Sequence, residues 1–242
     1  CMPRNVPDAR PLAVLLLATA FAVPTALPAQ EESLRPGINK VFSERELDRW
    51  IEMFEGEDRD VYTRRDEVLE IVGLEPGMDV ADVGAGTGFF TMLFAREVAP
   101  GGTAYGLDIT QQFVDHIVTQ AAELGLDNVV GLRNEADSMS LPADSVDVVF
   151  MCDTYHHFEY PYRMLASIRE VLRPGGRVVV VDLERVEGVT KPFVLNMVRA
   201  GKGTFTDEFR NAGFDLVEDI SFSPEDYILI FEEREPAGTA SR

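Results

Sequence analysis

A chain of 242 residues, 45% of them hydrophobic, can bury the core of one ordinary domain. Its 42 Asp+Glu against 22 Lys+Arg give a formal charge of −20, and a surface that negative repels phosphate backbones, which argues against nucleic acid as a partner. Cys1 and Cys152 form no disulfide framework, CxxC centre or zinc pattern, so no metal is expected.

Residues 1–29 open with Arg4 and Arg10, run through the apolar PLAVLLLATAFAV and end on small residues before Gln30. A basic start, a short apolar run and a small-residue end describe an export leader, with cleavage after Ala22 or Ala29. Pro24 and Pro28 interrupt the run, which is shorter than the ~20 residues of a spanning helix. The expectation is a periplasmic or secreted protein that meets a membrane only through this leader. An uncleaved tether or a misassigned start, leaving the chain membrane-bound or cytoplasmic, stays open.

Residues 30–75 read as a linker and N-terminal helices that form a lid. Ser43 with Glu46 has the capping-box spacing, and Leu47, Trp50, Ile51 and Phe54 fall on one helical face that Gly56 ends. A second helix starts near Thr63, with Val68, Leu69 and Val72 apolar, and stops at Gly73. From residue 76 to 234 strands alternate with helices: MDVADVG, TAYGLDI, NVVGLR, VDVVFMCD and RVVVVDLE are the strands. Near-continuous apolar strands separated by helices predict a doubly wound α/β domain with a mostly parallel sheet. DLVEDISF and DYILIFEER are joined by only Ser223, Pro224 and Glu225, too short for a parallel crossover, so the seven-stranded sheet closes on an antiparallel hairpin. Residues 235–242 are a polar tail.

The stretch VADVGAGTGFF, Val80–Phe90, places Gly84, Gly86 and Gly88 directly after the first of these strands. No Lys follows them, which excludes a P-loop. A dinucleotide fingerprint needs GxGxxG, but the sixth position is Phe89 and the last glycine falls one place early.

DVGAGTG resembles the [DE]xGxGxG loop of class I S-adenosylmethionine-dependent methyltransferases. Further motifs follow in order: Asp108 at the end of the second strand, Asp137 in DSMSLP, the fourth-strand segment VDVVFMCDTYHHF, and VLRPGGRVVVVD. Together they are similar to the ubiquinone and menaquinone methylase group and cover the chain after residue 60. The resemblance implies a Rossmann-like methyltransferase fold, S-adenosylmethionine as cofactor and adenosylhomocysteine as product. It assigns to the cofactor Asp82, Gly84, Ala85, Gly86, Gly88, Asp108, Ile109, Asp137, Ser138 and Asp153. Gly84 and Gly86 would let backbone approach the amino-acid tail, and Asp82 would meet its ammonium directly or through water. Asp108 would accept from both ribose hydroxyls. Asp137, or Glu135 in its stead, would accept from the adenine amino group, with the Ser138 backbone donating to a ring nitrogen.

Methyl transfer mainly requires alignment and exclusion of water, and a base only where the acceptor carries a proton that must leave first. CDTYHHF follows the fourth strand at the edge where doubly wound sheets bind ligands. His157 is the candidate base there, with Tyr155 or Asp153 lining the pocket. Arg199 and Lys202 suggest a positive pocket for an anionic or phenolate acceptor, beside the plainer reading of a solvated loop. Phe193, Leu195 and Met197 would cover an apolar ligand or belong to the core. The expectation is a methyltransferase acting on a small molecule at O, N, S or C. A cofactor-binding sensor or interaction protein without transfer activity and a protein side-chain methyltransferase are the alternatives. Oligomeric state is not legible.

Overall fold

The computed structural model describes residues 30–188 and 190–235; the leader expected at residues 1–29 and most of the polar tail lie outside them. The chain begins with α1 (Lys40–Glu44), α2 (Leu47–Phe54), α3 (Asp60–Thr63) and α4 (Arg65–Val72). The α/β body follows as β1 (Val80–Val83), α5 (Phe89–Glu97), β2 (Ala104–Asp108), α6 (Gln111–Leu124), β3 (Val129–Arg133) and β4 (Val146–Cys152). A 3-10 turn at Tyr155–His157 leads into α7 (Pro161–Val171), β5 (Leu172–Leu183), α8 (Pro192–Met197), α9 (Lys202–Asn211), β6 (Phe214–Ser221) and β7 (Asp226–Glu233).

The seven strands form one sheet in the order β3-β2-β1-β4-β5-β7-β6. Pairings among β1 to β5 are parallel, and β7 runs antiparallel to both β5 and β6. The order reverses between β1 and β4, which opens a crevice at the carboxyl ends of these strands.

Burial on both faces explains the apolar strands. Ala81, Val83, Val149, Met151, Val178 and Val180 face one core with α7 and α9, while Val80, Val148, Phe150, Val179 and Val181 face another with α4 and α5. The edge strands β3 and β6 are less buried, and β6 is also more polar. Gly73 and Gly125 end α4 and α6 in the left-handed conformation, which spares an L side chain its Cβ conflict.

Two local readings differ. The Ser43 capping box does not form: the hydroxyl lies inside α1 and donates to Lys40 O at 3.0 Å, while Glu46 precedes α2 without a side-chain cap. The segment after β5 is not only loop, because Pro192 starts α8 at its first turn.

Candidate active site

One large cavity, about 1080 Å³, opens at the carboxyl edge of β1, β2 and β4. Its floor is the glycine loop. Gly84 (φ +68°) and Gly86 (φ +54°) hold left-handed backbone, and a Cβ on Gly84 would lie 2.3 Å from Thr154 Cγ2. Two loop amides, Gly84 and Ala85, donate to Leu107 O at 2.8 and 2.9 Å, and Gly86 N–H donates to Asp108 Oδ2 at 3.1 Å. The loop is therefore fixed to the end of β2 by its own backbone. Gly88 is different: it is absent from the cavity wall and sits against α6, where a Cβ would meet Ile117 Cγ1 at 2.7 Å. Its expected contact with the cofactor gives way to close helix packing.

Asp82, Asp108, Ala85 and Ile109 all line the cavity. The buried Asp82 carboxylate accepts from Thr91 Oγ1 at 2.7 Å, and burial pushes it up to about 7. Asp108 accepts from Thr110 N at 2.8 Å through Oδ1 and from Gly86 N through Oδ2; burial raises it to about 6. Each oxygen keeps a lone pair for a further donor.

Asp137 and Ser138 do not line the cavity. The Asp137 carboxylate pairs with Arg163 at 2.9 Å, and the Ser138 N–H donates to Glu135 O at 3.4 Å. Asn134 takes their place in the wall. Its Nδ2 donates to Glu135 O and Ser138 O at 3.0 and 3.2 Å, while its buried Oδ1 has no partner. Two carbonyls around one amide nitrogen fix which way the amide points, so the free atom is an acceptor. A polar residue one place past the third strand was the only hint of this in the sequence.

The turn after β4 is built from side chains. Asp153 has φ +50° without being glycine, lines the cavity and pairs with Arg59 from the N-terminal helices. Thr154 Oγ1 donates to Cys152 O at 3.0 Å and Gly84 O at 3.3 Å. Tyr155 does not line the cavity: it is fully buried, and its hydroxyl donates to Glu208 Oε2 at 2.8 Å. Burial pushes that phenol well above its usual range. Arg199 holds the same Glu208 with two bonds of 2.6 and 2.8 Å. Arg199 is thus a buried structural partner, and Lys202 pairs with Asp219 and Glu184; neither faces the cavity. The positive pocket expected of them is not formed.

The two histidines diverge. His157 lines the cavity with Phe42 edge-on at 5.1 Å. Burial, then His156 and Arg35, lower it to about 3, so it stays neutral near pH 7 and is too weak a base to take a hydroxyl proton. His156 is more deeply buried and also adjoins the cavity. Asp182, at 0% exposure on β5, accepts from His156 Nδ1 at 2.6 Å and from its backbone N–H at 3.2 Å. Burial lowers the His156 pKa, but the Asp182 charge outweighs it and the net shift is upward. Nδ1–H on the carboxylate fixes the tautomer and leaves Nε2 as a lone pair without a partner.

Trp50, Phe54 and Phe113 close the cavity over the loop, with Trp50 and Phe54 stacked at 5.3 Å. The N-terminal helices thus form a wall of the site. Among the described residues no group of three or more His, Cys, Asp or Glu is placed to hold a metal ion.

Residues 81–180 match the methyltransferase domain family. The chain is 35% identical over 111 residues to a nocamycin O-methyltransferase of Saccharothrix syringae, covering 46% of this chain and 40% of that one. It is 30% identical over 153 residues to an arsenite methyltransferase of Halobacterium salinarum, covering 60% and 39%. A ubiquinone/menaquinone biosynthesis C-methyltransferase of Burkholderia vietnamiensis matches at 29% over 113 residues, covering 47% and 46%. The chain spans half or less of these curated relatives. Among solved structures, an S-adenosylmethionine-dependent methyltransferase from Aquifex aeolicus superimposes with a TM-score of 0.70 at 23% identity, over 77% of this chain and 98% of that one. The architecture is that of the Rossmann-like methyltransferase fold, and the matched domain and the fold together imply S-adenosylmethionine as the cofactor. The residues present fit it. Asp108 offers acceptors for a diol, Asn134 Oδ1 a free acceptor for an amino group, Asp82 a carboxylate for an ammonium, and the glycine loop a floor without Cβ atoms.

Proposed function

We propose that the protein is an S-adenosylmethionine-dependent methyltransferase acting on a small-molecule acceptor held in the same cavity. The observation that carries this reading is Asp108: a buried carboxylate at the end of β2, fixed by two backbone N–H groups and still facing a cavity large enough for two ligands. Bound there, the cofactor supplies an electrophilic methyl group on a sulfonium. The protein supplies position. Asp82, Asp108 and Asn134 hold and orient, the Trp50–Phe54–Phe113 aromatic wall excludes water, and the Arg59–Asp153 pair fastens the N-terminal segment across the opening.

Calorimetric titration with S-adenosylmethionine and adenosylhomocysteine tests this, and one-to-one binding of both is expected. Failure of a folded protein to bind either would overturn it. A second reading, cofactor binding without methyl transfer, draws support from the fold alone: a [4+2]-cyclase shares it with a TM-score of 0.62 at 20% identity, so the fold also carries a reaction of another kind. Binding without turnover across phenol, thiol and amine acceptors would favour it. Residues 1–29 are proposed as an export leader on their charge and hydropathy pattern alone; N-terminal sequencing of the protein recovered from the periplasm tests that.

A further inference from the structure

The acceptor end of the cavity is walled by Phe42, Phe158, Met164, Phe193, Val194 and Met197. Across the whole cavity eight carboxylates face four cations. The cations near the acceptor end are already engaged. Arg59 is paired with Asp153, Lys191 with Glu225 at 2.6 Å, and Arg35 donates to the carbonyls of Met197 and Asn196. Arg45 lies over the Trp50 ring at the cofactor end. A carboxylate or phosphate on the acceptor would meet net repulsion, and Arg35, whose partners are neutral carbonyls, would have to give up those bonds to pair with it.

Of the buried wall atoms without a partner near the turn after β4, Asp153 Oδ1 belongs to a carboxylate already paired with Arg59 and His157 Nδ1 to a ring too weakly basic, whereas His156 Nε2 sits on a ring whose other nitrogen is held by Asp182. A buried ring nitrogen without a partner is costly to leave so, and a hydroxyl placed beside it would supply the missing donor. We propose that the acceptor is an uncharged, largely aromatic hydroxyl compound of the phenol or enol class, O-methylated with His156 as the general base and Asp182 as its positioning residue. This rests on the methyltransferase reading and narrows it.

The balance is complete. The acceptor O–H bond breaks and its proton passes to His156 Nε2. The oxygen lone pair forms the new O–CH3 bond as the S–CH3 bond breaks, its electron pair staying on sulfur. The positive charge lost from the sulfonium reappears on the imidazolium, where Asp182 stabilises it. A phenol, near pKa 10, lies within reach of a histidine raised above its usual 6.5, whereas an alkanol does not. Amines attack through an existing lone pair and need no such base.

The test uses the full chain loaded with adenosylhomocysteine and a matched pair of probes, 1-naphthol and 1-hydroxy-2-naphthoate. Calorimetry is expected to show naphthol binding at least ~10-fold tighter, the scale of one uncompensated charge. Preference for the carboxylate, or no naphthol binding, overturns the proposal. With S-adenosylmethionine and naphthol, His156→Gln is expected to lower kcat by ~10²–10⁴ with KM little changed. Retained kcat, or no turnover by the wild type, overturns the base assignment. Asp182→Asn serves should His156→Gln not fold. His156 is faced by Asp182, Asp153, Arg199 and His157; removing the Asp182 charge is expected to move the acidic limb of the pH–rate profile to lower pH. Titration of the His156 ring by NMR reads the same shift without activity, and an unmoved value would exclude Asp182 as the positioning group. Cofactor binding by the wild type separates the outcomes: its absence fails the methyltransferase reading, whereas intact cofactor binding with failed probes fails this inference alone.

Discussion

The loop after β1 and the turn after β4 face each other across one cavity and touch where Thr154 rests on Gly84, yet they keep their shapes by opposite means. The first is a backbone structure: residues without Cβ atoms turn through left-handed conformations, and three amides bond to the end of the neighbouring strand. The second is a side-chain structure. Its shape depends on Asp182 under His156, Glu208 and Arg199 under Tyr155, and Arg59 on Asp153. A backbone-built site tolerates few changes within itself and is indifferent to distant ones. A side-chain-built site is the reverse, so substitutions far along the chain reshape it. Under the proposed function the first arrangement serves the cofactor and the second the acceptor.

The sharpest way to break that contrast is Gly84→Ala. Its Cβ would enter Thr154 at 2.3 Å and strain a φ of +68°, damaging both structures at their one contact. A left-handed alanine costs about 1–2 kcal/mol, and the overlap adds to it. Cofactor affinity is expected to fall roughly 30–100-fold with a lower melting temperature. Asp108→Asn comes next. The amide NH2 must face the N–H of either Gly86 or Thr110, which then loses its acceptor, and the charge at the proposed ribose site is lost. A hydrogen bond to a charged group is worth about 1.5–3 kcal/mol, so calorimetry should show about 10–100-fold weaker cofactor binding. Unchanged affinity in either variant would place the cofactor elsewhere.

The same contrast decides what could be read from the sequence. Gly84, Gly86 and Asp108 are legible because backbone geometry imposes spacing, and spacing is what a linear sequence displays. The β/α alternation and the closing hairpin are legible for a similar reason, since burial on both faces demands runs such as VVVVDL. The sequence offers no ground for preferring His156 to His157, because two adjacent histidines are equivalent on paper. Only Asp182, from the next strand, distinguishes them. Arg199 reads as a free cation until Glu208 closes on it. Asp137 fits a motif position, but Arg163 on the following helix draws it away and Asn134 remains.

A pH series separates the two regions more gently. Burial raises Asp82 to about 7 and Asp108 to about 6, so the folded protein holds these protons more tightly than the unfolded chain. Their contribution to stability is present below the ordinary carboxylate range, near pH 4, and is lost as pH rises through about 6 to 7. Cofactor binding runs the other way, because an ammonium and a diol both prefer the ionised carboxylates. From pH 5.5 to 8 the ligand-free melting temperature is expected to fall while cofactor affinity rises several-fold. Parallel trends would mean that these two groups do not face the cofactor.

The smallest expected effect is the most specific to the acceptor side. Tyr155→Phe deletes the hydroxyl that Glu208 accepts, but Arg199 keeps both of its bonds to the same carboxylate, so no buried charge is left unpaired. The ring continues to pack against Phe158, Phe205 and Phe209. One lost hydrogen bond between buried partners should cost about 1–2 kcal/mol of unfolding free energy, measured by denaturant titration. Turnover is expected within about twofold of wild type, because a phenol aimed at Glu208 has no part in moving a proton at the acceptor. A loss of kcat by orders of magnitude with stability intact would return Tyr155 to the chemistry. It would also show that the side-chain-built turn is positioned from behind more tightly than its hydrogen bonds alone require.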